Sequence, residues 1–280
     1  MIISIASGKG GTGKTTVAVN LALSLDNVQL LDCDVEQPNC ALFLNLDISE
    51  TIDVNMLVPK IDEEKCSYCG KCAELCQYNA LAVFGTTACF VPELCHSCGV
   101  CAYFCPEKAI TEVPRHVGII EKGKKDKIEF VSGLLNIGEP MAPPVIRQVK
   151  QHIKREKTVI IDAPPGTSCP VVGSLIGSDY TVLVTEPTPF GLHDLTLAVD
   201  LLRVLKIPFG VVVNRADLGD KKVFEYCKKE NIPIHLEIPF DRKIAESYSI
   251  GIAMVNYEAS YKKMFQNMYQ DILKHAGRVV

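Results

Sequence analysis

The chain opens with a short apolar run, a glycine-rich loop and then a helical pattern, and no other succession in it limits the fold as tightly. Residues 1–6, MIISIA, are apolar in the manner of a strand buried on both faces. From Lys14 onward Val17, Leu21 and Leu25 recur four apart, with Ala18 and Ala22 beside them, which reads as a helix. Between the two, Gly8-Lys9-Gly10-Gly11-Thr12-Gly13-Lys14-Thr15 satisfies G-x-x-x-x-G-K-[ST]. The glycines let the backbone fold tightly with its N–H groups turned toward phosphate oxygens, and the helix that follows aims its positive end at the same anion. Lys14 is placed to reach the β- and γ-phosphates, Thr15 to ligate Mg²⁺, and Gly8, Gly10, Gly11, Thr12, Gly13 and Thr16 to complete the cradle for ATP or ADP.

Further strands are expected at Val28–Leu31, Thr158–Ile161, Thr181–Thr185, Pro208–Val213 and Ile234–Ile238, mostly separated by helical stretches. That alternation predicts an α/β fold, a mainly parallel sheet flanked by helices. Val117–Ile120 and Lys127–Val131 are expected to pair as a hairpin across Gly123-Lys124, and Pro140, Pro143 and Pro144 to leave the stretch after it irregular. Tyr257, Tyr261, Met264, Phe265, Met268, Tyr269, Ile272 and Leu273 form an apolar stripe at helical spacing. The few basic residues there (Lys262, Lys263, Lys274, Arg278) suit a helix packed on the core better than a membrane anchor.

Residues 60–113 break the α/β rhythm and hold nine of the thirteen cysteines. Cys66, Cys69, Cys72 and Cys76 follow C-x₂-C-x₂-C-x₃-C, and Cys95, Cys98, Cys101 and Cys105 repeat the run 29 residues on, with Pro106 after the last. This is the two-cluster pattern of bacterial ferredoxins, in which the fourth cysteine of each run ligates the other cluster. One [4Fe–4S] set is therefore Cys66, Cys69, Cys72 and Cys105, and the second is Cys95, Cys98, Cys101 and Cys76. Zinc would use C-x₂-C pairs, which these runs fit poorly. The segment reads as a small α+β ferredoxin-like domain inserted into a surface loop of a larger domain made of 1–59 and 114–280. Cys89 and Cys169 read as small buried thiols, as do Cys33, Cys40 and Cys227.

The larger part resembles the MinD/ParA family of P-loop ATPases, which includes the nitrogenase iron protein and the Mrp-type iron–sulfur carriers. The resemblance rests on KGGTGKT, on Asp32-Cys33-Asp34 with Pro38-Asn39, and on Val159-Ile160-Ile161 leading into Asp162-Ala163-Pro164-Pro165-Gly166. It implies that Lys9 reaches across a nucleotide-dependent dimer to the partner's ATP, as an arginine finger does. It implies that Asp34 positions the attacking water with Asp32 beside it, and that Asp162 holds the Mg²⁺ shell. Val211-Val212-Val213-Asn214-Arg215 and Ile238-Pro239-Phe240-Asp241 resemble the adenine-contacting strand ends, implying roles for Asn214, Arg215, Pro239 and Phe240. In the nitrogenase iron protein a cysteine in the region of Cys169 holds a cluster that bridges the dimer; the C-x-x-C that bridges dimers of the Mrp-type carriers is absent here.

With 29 Lys+Arg against 33 Asp+Glu the chain carries no excess of positive charge for a nucleic-acid coat. No apolar run reaches the ~18–20 residues of a membrane span, and MIISIASGKGG is not the pattern of a signal peptide. Thirteen cysteines without an export signal suit metal binding in a reducing compartment, so a cytoplasmic location is expected. Three functions follow from the motifs. The first is an ATP hydrolase whose nucleotide state controls electron transfer through the two clusters to a redox partner protein. The others are an ATP-dependent iron–sulfur carrier or assembly factor, and a MinD-type spatial switch with a redox-sensing module.

Overall fold

The computed structural model describes residues 1–277; Arg278 lies outside them. The apolar runs at Ile2–Ala6 (β1) and Val28–Asp32 (β2) are buried along their whole length, on either side in sequence of the helix Lys14–Ser24 (α1). After a short helix, Cys40–Leu44 (α2), comes a 15-residue strand, Asp47–Ile61 (β3). The cysteine runs follow, with Lys71–Leu75 (α3), the hairpin Leu81–Phe84 (β4) and Thr87–Phe90 (β5), and Val100–Tyr103 (α4). The chain returns along Ile110–Lys125 (β6), turns, and continues as Ile128–Leu135 (β7) and Pro143–Gln151 (α5). The alternation then resumes with Thr158–Asp162 (β8), Cys169–Leu175 (α6), Tyr180–Thr185 (β9), Pro189–Leu205 (α7) and Phe209–Asn214 (β10). Lys222–Lys229 (α8), Ile234–Ile238 (β11), Arg242–Ser249 (α9), Met254–Tyr257 (α10) and Ala259–His275 (α11) complete it.

Among the described residues nine strands form one sheet in the order β11-β10-β9-β1-β8-β2-β7-β6-β3. The seven from β11 to β7 run parallel, and β6 and β3 close the edge antiparallel. The expected α/β sheet is present, and the strands expected at 1–6, Val28–Leu31, Thr158–Ile161, Thr181–Thr185, Pro208–Val213 and Ile234–Ile238 appear within one residue of those bounds, whereas β6 and β7 run well past Val117–Ile120 and Lys127–Val131. The apolar stripe of α11 packs on the core through Phe265, Met268 and Ile272, in the same cluster as Val17 and Leu21 of α1; Tyr257, in α10, is half exposed. No helix among the described residues is long and apolar enough to cross a membrane.

Three expectations need correction. The β6–β7 turn falls at Asp126-Lys127, not Gly123-Lys124: Gly123 pairs with Phe130 and Lys125 with Ile128, and Asp126 takes the left-handed backbone (φ 50°) that closes the turn. Pro143 and Pro144 begin a helix instead of an irregular stretch, because a first turn needs no N–H from them. Long strands flank the cysteine segment: β3 forms where no strand was expected, and β6 begins at Ile110, seven residues before the expected Val117. Beyond the Val54–Gly118–Leu135 row, β3 and β6 leave the sheet as a two-stranded ribbon, paired as far as Ile61 and Ile110. It projects past the carboxyl end of β7, which is the edge where β1, β2 and β8 end in the phosphate loop, Asp32 and Asp162.

Candidate functional site: a nucleotide edge and a paired cysteine unit

The glycine loop closes tightly over the end of β1. A β-carbon at Gly8 would lie 2.1 Å from the Asp194 carbonyl oxygen, and one at Gly13, where φ is +97°, would lie 2.6 Å from the Asn214 amide nitrogen. Only glycine permits both approaches. The Asn214 side chain donates to the Thr12 carbonyl (2.9 Å), which ties the end of β10 to the loop. A cavity of ≈ 420 Å³ opens along this edge, lined by Gly10, Gly11, Gly13, Lys14, Thr15 and Thr16 and, across from them, Asn214, Arg215, Pro239 and Phe240. Asp34 lines it too, with Gln37 and Tyr248, two residues the motifs did not single out.

Three acidic groups converge beneath the loop. Asp32 and Asp162 face each other in register on β2 and β8, both buried. Asp32 accepts backbone N–H bonds from Asp34 (3.1 Å), Asn39 and Cys40 (both 3.0 Å). Asp162 Oδ2 accepts the Thr15 hydroxyl at 2.7 Å, and its Oδ1 is buried without a hydrogen-bond partner. Burial together with the Asp162 charge raises Asp32 to about 8, and burial raises Asp162 as well. Asp34, less buried, is raised to about 6 for the same two reasons, against the pull of Lys14. Two facing carboxylates out of water cannot both stay ionised unless a cation joins them. The orphaned Asp162 oxygen, the Thr15 hydroxyl and this surplus of negative charge fit a divalent cation held between loop and sheet. Lys14 is buried, its ammonium lowered by desolvation, and the Asp162 and Asp34 charges oppose that shift.

Lys9 stands apart. It does not line the cavity of its own chain. Its ammonium lies 3.7 Å from Glu186, a buried residue just past the end of β9 that the motifs did not reveal. The other oxygen of Glu186 is 3.0 Å from the Arg215 guanidinium.

The cysteine segment repeats itself in three dimensions. Tyr68 and Ser97 share φ 54°, Gly70 and Gly99 have φ 76° and 70°, and Asn79 and Lys108 have φ 55° and 51°, each pair at the same 29-residue offset as the cysteines. The Ala80 N–H donates to Cys76 Sγ and the Ala109 N–H to Cys105 Sγ, both at 3.3 Å. Two cavities open between the repeats. One, of ≈ 20 Å³, is lined by Cys66, Cys69, Cys72 and Cys105 with Ile61 and Ile110; the other, also of ≈ 20 Å³, by Cys95, Cys98, Cys101 and Cys76 with Leu57 and Pro59. Four soft sulfur donors converging on one small cavity suit an iron–sulfur cluster. His96 does not point to a ligand role; its ring stacks on Tyr78 with centroids 3.5 Å apart. Cys33, Cys40 and Cys227 are buried as expected, but Cys89 and Cys169 are exposed. Cys89 lies on a two-stranded hairpin too small to cover both faces, and Cys169 is the first residue of α6 at the open edge.

A phosphate loop on the carboxyl edge of a parallel sheet, with a cation site beneath it, defines a P-loop nucleotide-binding protein. The CobQ/CobB/MinD/ParA nucleotide binding domain matches residues 3–253, and this chain belongs to that family. It is 33% identical over 92% of its length to a Methanocaldococcus jannaschii protein described as uncharacterized, and covers 92% of that protein. It is 26% identical to an iron-sulfur cluster carrier protein of Pyrococcus horikoshii, over 91% of this chain and 79% of the other. The fold is similar to that of the septum site-determining protein MinD of Pyrococcus horikoshii complexed with Mg-ADP, with TM-score 0.62 and 20% identity over 99% of this chain and 97% of that one.

Proposed function

We propose that this chain is an ATP-hydrolysing iron–sulfur protein in which nucleotide state governs electron transfer through two [4Fe–4S] clusters. One observation carries the reading: each of the two cavities draws three cysteines from one run and the fourth from the other, in the crossed sets the repeat predicts. The inserted unit then comprises the stretch between Ile61 and Ile110, slightly inside the 60–113 expected. Each cluster would supply one-electron redox chemistry. The chain's own part is to hold eight thiolates, to donate the Ala80 and Ala109 N–H groups to sulfur, and to fix the unit on its ribbon.

At the nucleotide edge Lys14 and the loop N–H groups neutralise the phosphates, and Thr15 and Asp162 hold Mg²⁺ or its water. Asp34 orients the attacking water, and Lys9 serves the nucleotide of a second copy in a dimer formed around ATP. The geometry supports coupling between edge and unit. Val35, next to Asp34, accepts the Leu135 N–H at 2.8 Å and packs in one apolar cluster with Val54 and Met56 of β3 and Val117 of β6. Arg115 on the ribbon makes a two-point ion pair (2.6 and 3.1 Å) with Glu139, a nearly buried residue in the loop after β7. A change at Asp34 thus meets the root of the ribbon directly.

An anaerobic redox titration of the reconstituted protein, with and without MgATP, tests the proposal by EPR. Two [4Fe–4S] signals with a nucleotide-dependent shift of about 59 mV, a tenfold coupling for one electron, are expected. Fewer than two clusters would overturn the crossed assignment. The second reading, an ATP-dependent cluster carrier, is favoured by the relatives that bear that name. It predicts MgATP-accelerated loss of iron to an apo-acceptor in place of the shift.

A further inference from the structure

The geometry points to Glu186 as a positioning residue that holds Lys9 inside its own subunit until a second copy claims it. This rests on the proposed reading in which Lys9 acts across a dimer. Three observations carry it. Lys9 is not among the residues that line its own nucleotide cavity, although Gly10, Gly11 and Lys14 of the same loop are. It turns instead toward a carboxylate that is itself 7% exposed and offers a charge with little water to answer it. That carboxylate is already committed: one oxygen faces Arg215, which lines the cavity, and is buried without a hydrogen bond, while the other faces Lys9. At 3.7 Å the Lys9 contact is an ion pair and not a hydrogen bond. It is weak enough to exchange and strong enough to bias where the ammonium rests.

The two partners of Glu186 differ in what they can do. Arg215 sits on β10's end, held by its own backbone and by Asn214, whose side-chain oxygen accepts the Arg215 N–H at 3.0 Å. Lys9 sits on a glycine loop with a side chain one-third exposed. Dimerisation can therefore take Lys9 and leave Glu186 neutralised by Arg215. Loss of the cis contact opposes association, so its removal tightens the dimer.

The experiment measures the ATP-dependent monomer–dimer equilibrium of the cluster-loaded protein by analytical ultracentrifugation. It compares wild type, Glu186→Gln, Glu186→Asp, Lys9→Ala and the Lys9→Ala/Glu186→Gln double variant. Glu186→Gln removes the charge and keeps the shape. It should lower the dimer dissociation constant roughly three- to tenfold, since each dimer formed breaks two such partly exposed ion pairs. Glu186→Asp should stay near wild type, and the effect should vanish when Lys9 is alanine, as a double-mutant cycle requires of a direct interaction. An unchanged or weakened dimer in Glu186→Gln, or an effect that persists without Lys9, overturns the inference and leaves the dimer reading standing. A wild type that stays monomeric with MgATP overturns both.

Discussion

The nucleotide edge and the cysteine unit are stabilised in opposite ways. The edge is assembled from residues far apart in the chain, since Thr15 bonds Asp162 and Asn214 bonds Thr12, and Asp32 adds local order by gathering three N–H groups from its own loop. Beneath it lie continuous apolar clusters of fully buried aliphatic residues. The cysteine unit has no comparable core, and its ties across the chain run mostly to its own ribbon: the Ser97 hydroxyl donates to the Leu57 carbonyl and the Asp62 N–H to the Ala109 carbonyl. Neither α3 nor α4 buries a residue, and the unit's one apolar cluster consists of Val58, Ala80 and Cys95 with partly buried Cys76, Phe90 and Val113 around them. Two cluster-facing cysteines help make up that core. A segment of this size with so little buried surface needs a staple. On the proposed reading, one chain holds a site that exists before its ligand and a site whose ligand completes the fold.

The sharpest way to break this contrast is to remove iron. In apo protein prepared with chelator, amide exchange across residues 66–105 should become nearly unprotected while β1, β8 and β9 stay protected, as hydrogen-exchange mass spectrometry reads it. Equal protection in both states would show that the unit folds without metal. Next in size is Lys14→Ala. Loss of the charge-assisted phosphate contacts should weaken ATP binding at least ~100-fold with no change in iron content, measured by calorimetry and iron assay. Micromolar affinity in that variant would refute the loop's role, and loss of iron would refute the separation of the two regions.

The smallest effect concerns pH. Asp32 is raised to about 8 from its ordinary 3.8, so between those values the nucleotide-free fold binds more protons than the unfolded chain. Its contribution to stability is full below pH ~4 and is lost as pH rises through 8, an effect on the order of a few kcal/mol and several degrees in Tm. His235, lowered by burial, acts in the other sense below pH 6.5 and is common to every Asp32 variant. The difference between wild type and Asp32→Asn therefore isolates the carboxylate pair. Scanning fluorimetry from pH 5 to 8 should show a fall in wild type relative to Asp32→Asn. MgADP should remove that fall, since the cation replaces the shared proton. A slope unaffected by Mg²⁺ would mean that no cation binds between Asp32 and Asp162.

How much of this was legible in the sequence follows the same division. The phosphate loop could be read because its chemistry lies in eight consecutive residues, Gly8 to Thr15. The crossed cysteine sets could be read because the repeat is covalent order, not tertiary order. The ribbon could not. Pro59 and Pro114 interrupt its strands, and Asn55, Lys60, Thr111, Glu112, Arg115 and His116 leave only short apolar pieces between them, so neither strand reads as one. Pro143 and Pro144 signalled a break because the same residue type ends one helix and begins another. Glu186 carries no motif at all; its meaning comes only from Lys9 and Arg215, brought to it across the sheet.

The ribbon also sets a scale of reach. Val54 is the last β3 residue level with the sheet, and at about 3.3 Å per residue Leu57 stands roughly 10 Å beyond it and Ile61 roughly 23 Å. The cavity at Leu57 is therefore the near one and the cavity at Ile61 the far one. A visiting molecule that meets the tip touches the far cavity with the nucleotide edge out of range. Only one that slides down the stalk, or a second body clasped against the same edge, comes within range of the near cavity and the nucleotide together. On the proposed reading a redox partner meets the two cavities at two depths of approach.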